Sequence, residues 1–421
     1  MIIADGNFNT PSLVPSDNSV NFNCCVEDIR PKNKFSFVYL RTKEKTYKAV
    51  YRENMCKSHI STLKIGDYIN AEGVIKKQLR ADDGYEINLT DFKVLTSARA
   101  LPDFSTPDLS FEGLQKHRAF TIRNEKIRGI FRFQNLIQNA FIKFFENNGF
   151  ENVNVPTLVL KSEMPSFSVD YFEKTPELPF SPMTYMSTAT AAFEKTYTIT
   201  HSFSSKRHTS SRHLNEFISM SFQAGYIENV YDIINILVSY IKFLIEFIEK
   251  DRTNILKVID FKKPLISDIP VFTFNEALEI LNKSYQSDLD PTDIKKICTY
   301  AKDSYSSDFV FVTDFPSKKR QFYAIDNKDN NTAQSFDLYF KGLKIATGSN
   351  NITDFDIQTN KMEKLNINTQ DYEMYLQALK YGIMPYGGAM IGLERFTMQL
   401  LGLSNIREAS LFMRDLHTFN P

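Results

Sequence analysis

Between Asn21 and Leu101 the chain runs in short segments, NFNCCVEDI, FSFVYLR, TYKAVYR, GDYINAEGVIKKQ and YEINLTDFKVLTS, rich in β-branched and aromatic residues and parted by polar breaks. Runs of that length and composition predict strands, and five of them in one stretch predict a small closed barrel. The period then changes. From Glu125 to Asn148, residues Ile127, Ile130, Phe131, Ile137, Phe141, Phe144 and Phe145 recur at three-and-four spacing, which predicts a long helix ended by a turn at Asn148-Gly149. The strand NVNVPTLVL that follows carries Pro156. A proline removes a ladder donor, so this strand belongs at a sheet edge or an interface, and Pro156 is expected at a dimer contact. TYTITHSF and FISMSFQAGYI bracket the basic stretch Lys206 to Arg212, an antiparallel hairpin with a long loop. Val230 to Lys250 and the capped segment TFNEALEILNKS read as helices, and Phe309 to Ile345 is again strand-rich. Helices follow over Asp371 to Gly382 and Leu393 to Leu401, the last after the glycine-bearing YGGAMIG. Hairpins with helices spread unevenly among them predict an α+β fold, an antiparallel sheet flanked by helices rather than a doubly wound parallel one.

Leu101 to Gly113 holds two prolines and no long apolar period, so it reads as a linker. The chain then divides into a barrel over 21–101, a linker over 102–114 and a larger domain over 115–421. Within the barrel Phe35, Phe37 and Tyr39 alternate, with Arg41 next in step, three rings and a cation on one side. They are either a platform on which bases stack or the inward face of the barrel. The OB-fold is the common small barrel that handles single-stranded nucleic acid, which makes an RNA an expected partner. Lys plus Arg and Asp plus Glu each number 50, so the formal charge is zero, and such binding needs a local basic surface. The first residues have neither a basic start nor an apolar run, and no uncharged apolar stretch of about 18 residues occurs, so a cytoplasmic protein with no membrane segment is expected. Cys24, Cys25, Cys56 and Cys298 lack CxxC spacing and are expected as free thiols, with no metal site.

The run GIMPYGGAMIGLERFTMQLLGLSNIREASLFMRD resembles the third signature motif of class II aminoacyl-tRNA synthetases in the aspartyl, asparaginyl and lysyl subgroup. A glycine-rich strand lets backbone approach a nucleotide, and Arg395 at the next helix can offer its guanidinium fork to phosphate, the expected catalytic contact. RNEKIRGIFRFQNLIQNAFIKFFENNGFENVNVP resembles the first motif, whose proline, here Pro156, lies at the interface of a homodimer. FEKTYTITHSFSSKRHTSSRHLNEFISM resembles the second, with Arg212, His213, Glu216 and Phe217 in place. The resemblance implies ATP as ligand, with Arg212, His213 and Arg395 at its site and Phe217 stacked on adenine. It also matches the barrel to the family's anticodon-binding domain, which implies that Phe35, Phe37 and Arg41 contact tRNA. The likeness spans roughly residues 21 to 421 and follows the archaeal and eukaryotic style of aspartyl and asparaginyl enzymes.

Several positions depart from the family's pattern. Activation joins a carboxylate to the α-phosphate of ATP and needs cations against the growing negative charge. Where the second motif has Phe-Arg-x-Glu, this chain reads FSSK, with Ser204 for the Arg and Lys206 for the Glu. In QSFDLYFKGLKIATGSNN, Asp337 is kept and Thr347 can still offer an oxygen, but Lys344 stands at a metal-binding Glu and Asn351 at a substrate-binding Arg. ATP remains a candidate ligand, and Mg2+ is not expected there. FSPMTYM replaces a segment with two Gln and a Lys, so Phe180, Met183 and Met186, with Ser162 and Asp337, are expected to line a pocket where an Asp or Asn side chain goes unpaired. Ser221 and Gln223 replace acidic positions. One reading is a synthetase-like protein that no longer activates aspartate or asparagine and acts through tRNA, nucleotide or partner binding. The alternative is an ATP-dependent enzyme that activates a different, apolar or unusual amino acid. A third, an asparagine synthetase on the same fold, is disfavoured because such relatives lack the barrel.

Overall fold

The computed structural model describes residues 18–43, 45–78, 84–100, 109–251, 255–284, 286–328 and 331–419. Two compact units divide at Asp108/Leu109. In the first, β1 (Ser19–Pro31), β2 (Ser36–Arg41), β3 (Thr46–Tyr51), β4 (Tyr68–Lys77) and β5 (Tyr85–Thr96) close a barrel in the order β1-β2-β3-β5-β4, an OB-fold. Strand alternation fills it: Val20, Phe22, Val38, Leu40, Ile69, Ala71, Ile87 and Leu89 point inward and are buried.

The second unit is built on an eight-stranded sheet. Its strands are β6 (Glu151–Asn152), β7 (Lys195–Phe203), β8 (Glu216–Gly225), β9 (Val271–Thr273), β10 (Phe309–Thr313), β11 (Ser335–Phe340), β12 (Leu343–Asn351) and β13 (Tyr386–Gly392). They lie in the order β6-β7-β8-β13-β12-β11-β10-β9, antiparallel except for the outermost pair at each edge. The helices in chain order are α1 (Phe111–Lys116), α2 (Arg118–Thr121), α3 (Glu125–Asn147), α4 (Met183–Phe193), α5 (Val230–Glu249), α6 (Ile255–Val258), α7 (Phe274–Ile280), α8 (Pro291–Tyr305), α9 (Phe355–Lys364), α10 (Glu373–Tyr381) and α11 (Leu393–Leu401).

α3 and α5 cover one face of this sheet. Asn124 caps α3 by accepting the Lys126 and Ile127 N–H groups, and Asn229 with Asp232 forms a capping box on α5. Phe133, Ile137, Phe141, Phe144 and Phe145 of α3 meet Ile233, Leu237, Tyr240, Ile241 and Leu244 of α5 over Met220, Phe222, Phe336, Leu338, Ala389 and Ile391 of the sheet. The α+β architecture is the one the periodicities predict. The details differ in three places. The strand expected through Pro156 pairs over Glu151–Asn152 only, and Pro156 lies exposed just past it. The segment SFEG, read as linker, starts α1 at Phe111 with Ser110 as its cap, because a serine followed by an acidic first turn nucleates a helix whatever the prolines upstream do. α4, α8 and α9, the last two capped by Asp290 and Asp354, have no counterpart in the sequence reading.

Phe145 is fully buried with ring centroids of Phe141, Phe222 and Phe150 at 4.4, 4.8 and 4.9 Å. Phe145→Ala should destabilise the larger unit by about 3–5 kcal/mol, read as a lowered urea midpoint; a change below about 1 kcal/mol would mean this is not the packed centre of that unit.

Candidate active site

Strand alternation decides which side chains meet on the other face of the sheet. Met220, Phe222 and Ala224 of β8 enter the core, so Ser219, Ser221 and Gln223 face away from it. The antiparallel registers carry that face sideways. Ser221 stands opposite Thr198 and Met390, Met390 opposite Thr347, and Thr347 opposite Asp337. A second row runs through Thr196, Gln223, Gly388, Ser349 and Ser335. Gly388 is required there, since a Cβ would fall 2.2 Å from the Phe222 carbonyl oxygen.

Most of these polar groups are out of water and so need partners. Gln223 Nε2 donates to the Met183 carbonyl and to Ser187 Oγ, each at 3.1 Å, while its Oε1 accepts from Thr190 Oγ1 at 3.0 Å, which ties α4 to the sheet. Met183 and Met186, both buried on α4, pack with Phe322, Tyr323, Tyr372 and Tyr375. Beside this apolar cluster lies Glu163, which the sequence reading passed over. Its Oε1 is buried with no hydrogen-bond partner, as is Ser221 Oγ, while the buried Tyr386 hydroxyl lies within reach of Ser187, Tyr375 and Asn351. Burial pushes the Glu163 carboxyl up to about 8, with only the Ser181 hydroxyl acting against it, and the carboxyl sits close enough to Tyr323 and Tyr375 to bear on their own ionisation. A carboxyl in that state invites either a proton or a cation.

Asp337 is taken by neighbours. Arg320 grips it with two bonds, Nη1 to Oδ1 at 2.8 Å and Nη2 to Oδ2 at 3.1 Å; Lys344 Nζ and the Tyr339 hydroxyl donate to Oδ2 at 3.1 and 3.2 Å. Burial raises the Asp337 carboxyl, but the two cations outweigh it and hold the group well below the usual carboxylate range. The Arg320 guanidinium in turn lies 3.7 Å from the Phe315 ring centroid.

The hairpin and α11 bring the remaining cations together. Arg395 Nε donates to the Arg212 carbonyl at 3.2 Å and its Nη1 to the Lys344 carbonyl at 3.3 Å, so the guanidinium bridges the hairpin loop and β12. His213 lies 2.6 Å from Ser210 Oγ through Nδ1 and stacks on His208 with centroids 4.2 Å apart. Burial, then Arg395, His208, Arg212 and Lys206, lowers His213 to about 4, so the ring is neutral near pH 7. Ser204 is spent on its own loop: its N–H donates to the Asn215 carbonyl at 2.9 Å, its carbonyl accepts from Asn215 Nδ2 at 2.6 Å, and its hydroxyl accepts the Lys206 N–H at 3.5 Å. Phe217 meets Phe180 edge-on at 5.9 Å, and Ser162 Oγ accepts the Phe180 N–H at 3.1 Å. Arg212, His213 and Arg395 therefore gather at one place, and Ser162, Phe180 and Phe217 at another. Met183 and Met186 belong to the apolar cluster under α4 rather than to either.

In the barrel, Ser36, Val38 and Leu40 point inward, and Phe35, Phe37, Tyr39 and Arg41 take the outer face. Phe35 and Phe37 meet edge-on at 5.0 Å. The cations over these rings are ones the sequence did not single out: Lys48 lies 3.9 Å from the Phe37 centroid, Arg30 4.7 Å from Tyr39 and Arg52 5.8 Å from Phe35. Arg41 keeps Nε and Nη2 buried without a partner. Among the described residues no cluster of three or more His, Cys, Asp or Glu is placed to hold a metal ion, and no helix is long and apolar enough to cross a membrane.

Residues 111–416 match the family model described as tRNA synthetases class II (D, K and N). The chain belongs to the class II tRNA synthetases. It is 29% identical over 420 residues to the aspartate–tRNA(Asp/Asn) ligase of Aeropyrum pernix, covering 93% of each chain. It is 30% identical over 414 residues to the enzyme of that name from Methanococcus maripaludis, covering 94% of this chain and 93% of the relative. Its fold matches the crystal structure of Pyrococcus horikoshii asparaginyl-tRNA synthetase complexed with asparaginyl-adenylate at a TM-score of 0.87, with 24% identity and 96% of both chains covered.

In this synthetase fold two buried groups that the sequence reading did not mark, Arg320 and Glu163, now stand out. Arg320 sits in the run SKKR, where nothing local separates a buried cation from solvated ones. Arg320→Met should destabilise the larger unit by about 3–5 kcal/mol, because Asp337 would stay buried with Lys344 as its one remaining cation; a variant that melts like the native protein would show that the pair contributes nothing. A second expectation concerns pH. The Glu163 and Glu394 carboxyls are raised by burial to about 8 and about 7, so each stabilises the fold below its unfolded value near 4.5 and loses that contribution as pH rises through its folded value. Between pH 6.5 and 8, above the range in which His213 titrates, the melting temperature should fall, and Glu163→Gln should flatten the fall. A melting temperature that climbs over this window would contradict the burial of both carboxyls.

Proposed function

We propose that this chain binds tRNA and a nucleotide on the aspartyl/asparaginyl synthetase plan but does not form an aspartyl or asparaginyl adenylate at a synthetase's rate. The observation that carries this reading is Ser204. It stands just past β7, where the resemblance calls for an arginine on the α-phosphate, and its hydroxyl carries no positive charge to set against that phosphate. Loss of one such transition-state contact costs about 3–4 kcal/mol, or roughly a hundred- to a thousandfold in rate. The gathered Arg212, His213 and Arg395 suit a phosphate-bearing ligand, and Phe180 with Phe217, grouped apart from them, suit an adenine ring. The outward rings of β2, each beneath a cation, suit unstacked bases. A homodimer would form through the exposed edge segment at Pro156.

Glu163 favours a second reading. A buried carboxyl with one oxygen unpartnered fits an ammonium group, and the apolar cluster beside it offers a substrate side chain few polar partners, so an apolar amino acid is the substrate to try first if activation survives.

ATP–pyrophosphate exchange separates the two readings. With aspartate or asparagine the rate should lie at least about a hundredfold below that of an ordinary relative, and Ser204→Arg should raise it. Exchange at an ordinary rate with either amino acid refutes the main reading, and exchange with leucine or methionine alone selects the second. On the barrel, Phe37→Ala should weaken tRNA binding by about 1–3 kcal/mol without disturbing folding, since the ring lies outside the core; unchanged affinity removes the base-stacking role.

A further inference from the structure

A divalent ion on the polar face of the sheet would need oxygen ligands from β11 and β12. These strands do not offer them. Lys344 fills the position of the expected carboxylate, with Nζ 3.1 Å from Asp337 Oδ2. Asp337 is gripped by Arg320 through both oxygens. The Thr347 hydroxyl donates to the Phe336 carbonyl at 3.3 Å. The residues present do not fit a magnesium ion.

What they do offer is charge of the right sign. One carboxylate holding a divalent cation presents a net charge of plus one to a phosphate, and one lysine presents the same charge with no ion at all. Lys344 has a side chain 41% exposed, so its ammonium is within reach of a ligand, and its backbone carbonyl holds Arg395 Nη1 at 3.3 Å, so two cations share one neighbourhood. Arg212, joined to Arg395 through its carbonyl, and Lys206, near enough to depress His213, add to them. The carboxylates nearby are spoken for: Asp337 by Arg320, Glu394 by the Ile218 N–H, and Glu216 by His201 Nδ1 at 2.8 Å. A polyphosphate here meets a positive surface with no carboxylate left unpartnered and no ion to recruit.

We infer that Lys344 stands in for a divalent cation, so that this site binds a polyphosphate group without metal. The inference rests on the nucleotide-binding reading above, and its failure is distinguishable from the failure of that reading. The test is calorimetric titration of the full chain with ATP and with inorganic tripolyphosphate, each in magnesium and in EDTA. The dissociation constants should agree within about threefold across the two buffers, and Lys344→Gln should weaken binding in EDTA about tenfold or more. Lys344→Glu should abolish binding in EDTA and restore part of it in magnesium. Arg320 still neutralises Asp337 in both variants, and thermal melts check that they fold. Tightening of the native protein by more than about threefold in magnesium, no saturable binding in EDTA, or a folded Lys344→Gln that binds as the native protein does would each overturn the inference. Metal-dependent binding without aspartyl exchange sinks this inference alone; aspartyl exchange with metal-independent binding sinks the earlier reading alone.

Discussion

An eight-stranded sheet presents two faces, and most of both is out of water here, so a polar group buried on either must find a partner inside the protein or in a ligand. One face avoids the difficulty by being apolar: Phe222, Phe336, Leu338 and Ile391 lie under α3 and α5. The other carries Thr198, Ser221, Gln223, Thr347, Ser349 and Asp337. Its least tolerable member is Asp337, a buried carboxylate that only the bidentate Arg320 and the Lys344 ammonium make affordable. The remaining groups sort by whether the protein supplies their partner. Gln223 is fully served by α4, whereas Glu163 Oε1 and Ser221 Oγ are left over. Unserved buried donors and acceptors lying together on one face are what a ligand site looks like before the ligand arrives.

Much of this was readable in the chain. The long helix over Glu125–Asn147 follows from its phenylalanines, the hairpin from two β-rich runs around a basic loop, and the barrel from five short strands. Arg395, far along the chain from Arg212 and His213, lies beside them in the fold. Other features lay outside what a local pattern can encode. Whether Phe37 points into or out of the barrel depends on which of two alternating sets closes the core, and Val38 and Leu40 win that place only once the strands curl. Arg320 sits among lysines, and its burial is set by Phe315 and Asp337. Glu163 stands in an irregular stretch between short bridges, where no period exists to assign it a face. Met183 and Met186 read as pocket lining, yet helix α4 turns both into an apolar cluster, a placement that only the packing of Tyr372 and Tyr375 against them decides.

The two ends of the polar face call for different ligand chemistry. Under α4 the surroundings are apolar around one unserved carboxylate, a setting for an ammonium on a hydrophobic body. At the hairpin and β12 they are cationic, a setting for phosphate. A molecule spanning both would be an aminoacyl phosphate or something shaped like one, and a face with this polarity suits such a molecule whether or not it also makes one.

Binding and making part company at a small number of charges. On the proposed reading, Ser204 leaves no cation just past β7, where charge would grow during transfer, while Lys344 offers one on β12, where charge would already rest on a bound polyphosphate. A cation aimed at the transferring phosphorus lowers the barrier; a cation aimed at the far phosphates strengthens the ground state and the transition state alike. The first contact accelerates and the second only holds. On the proposed reading, losing a positive charge at the hairpin tip while gaining one on β12, beyond β13, favours retention of a nucleotide over its conversion within an unchanged fold.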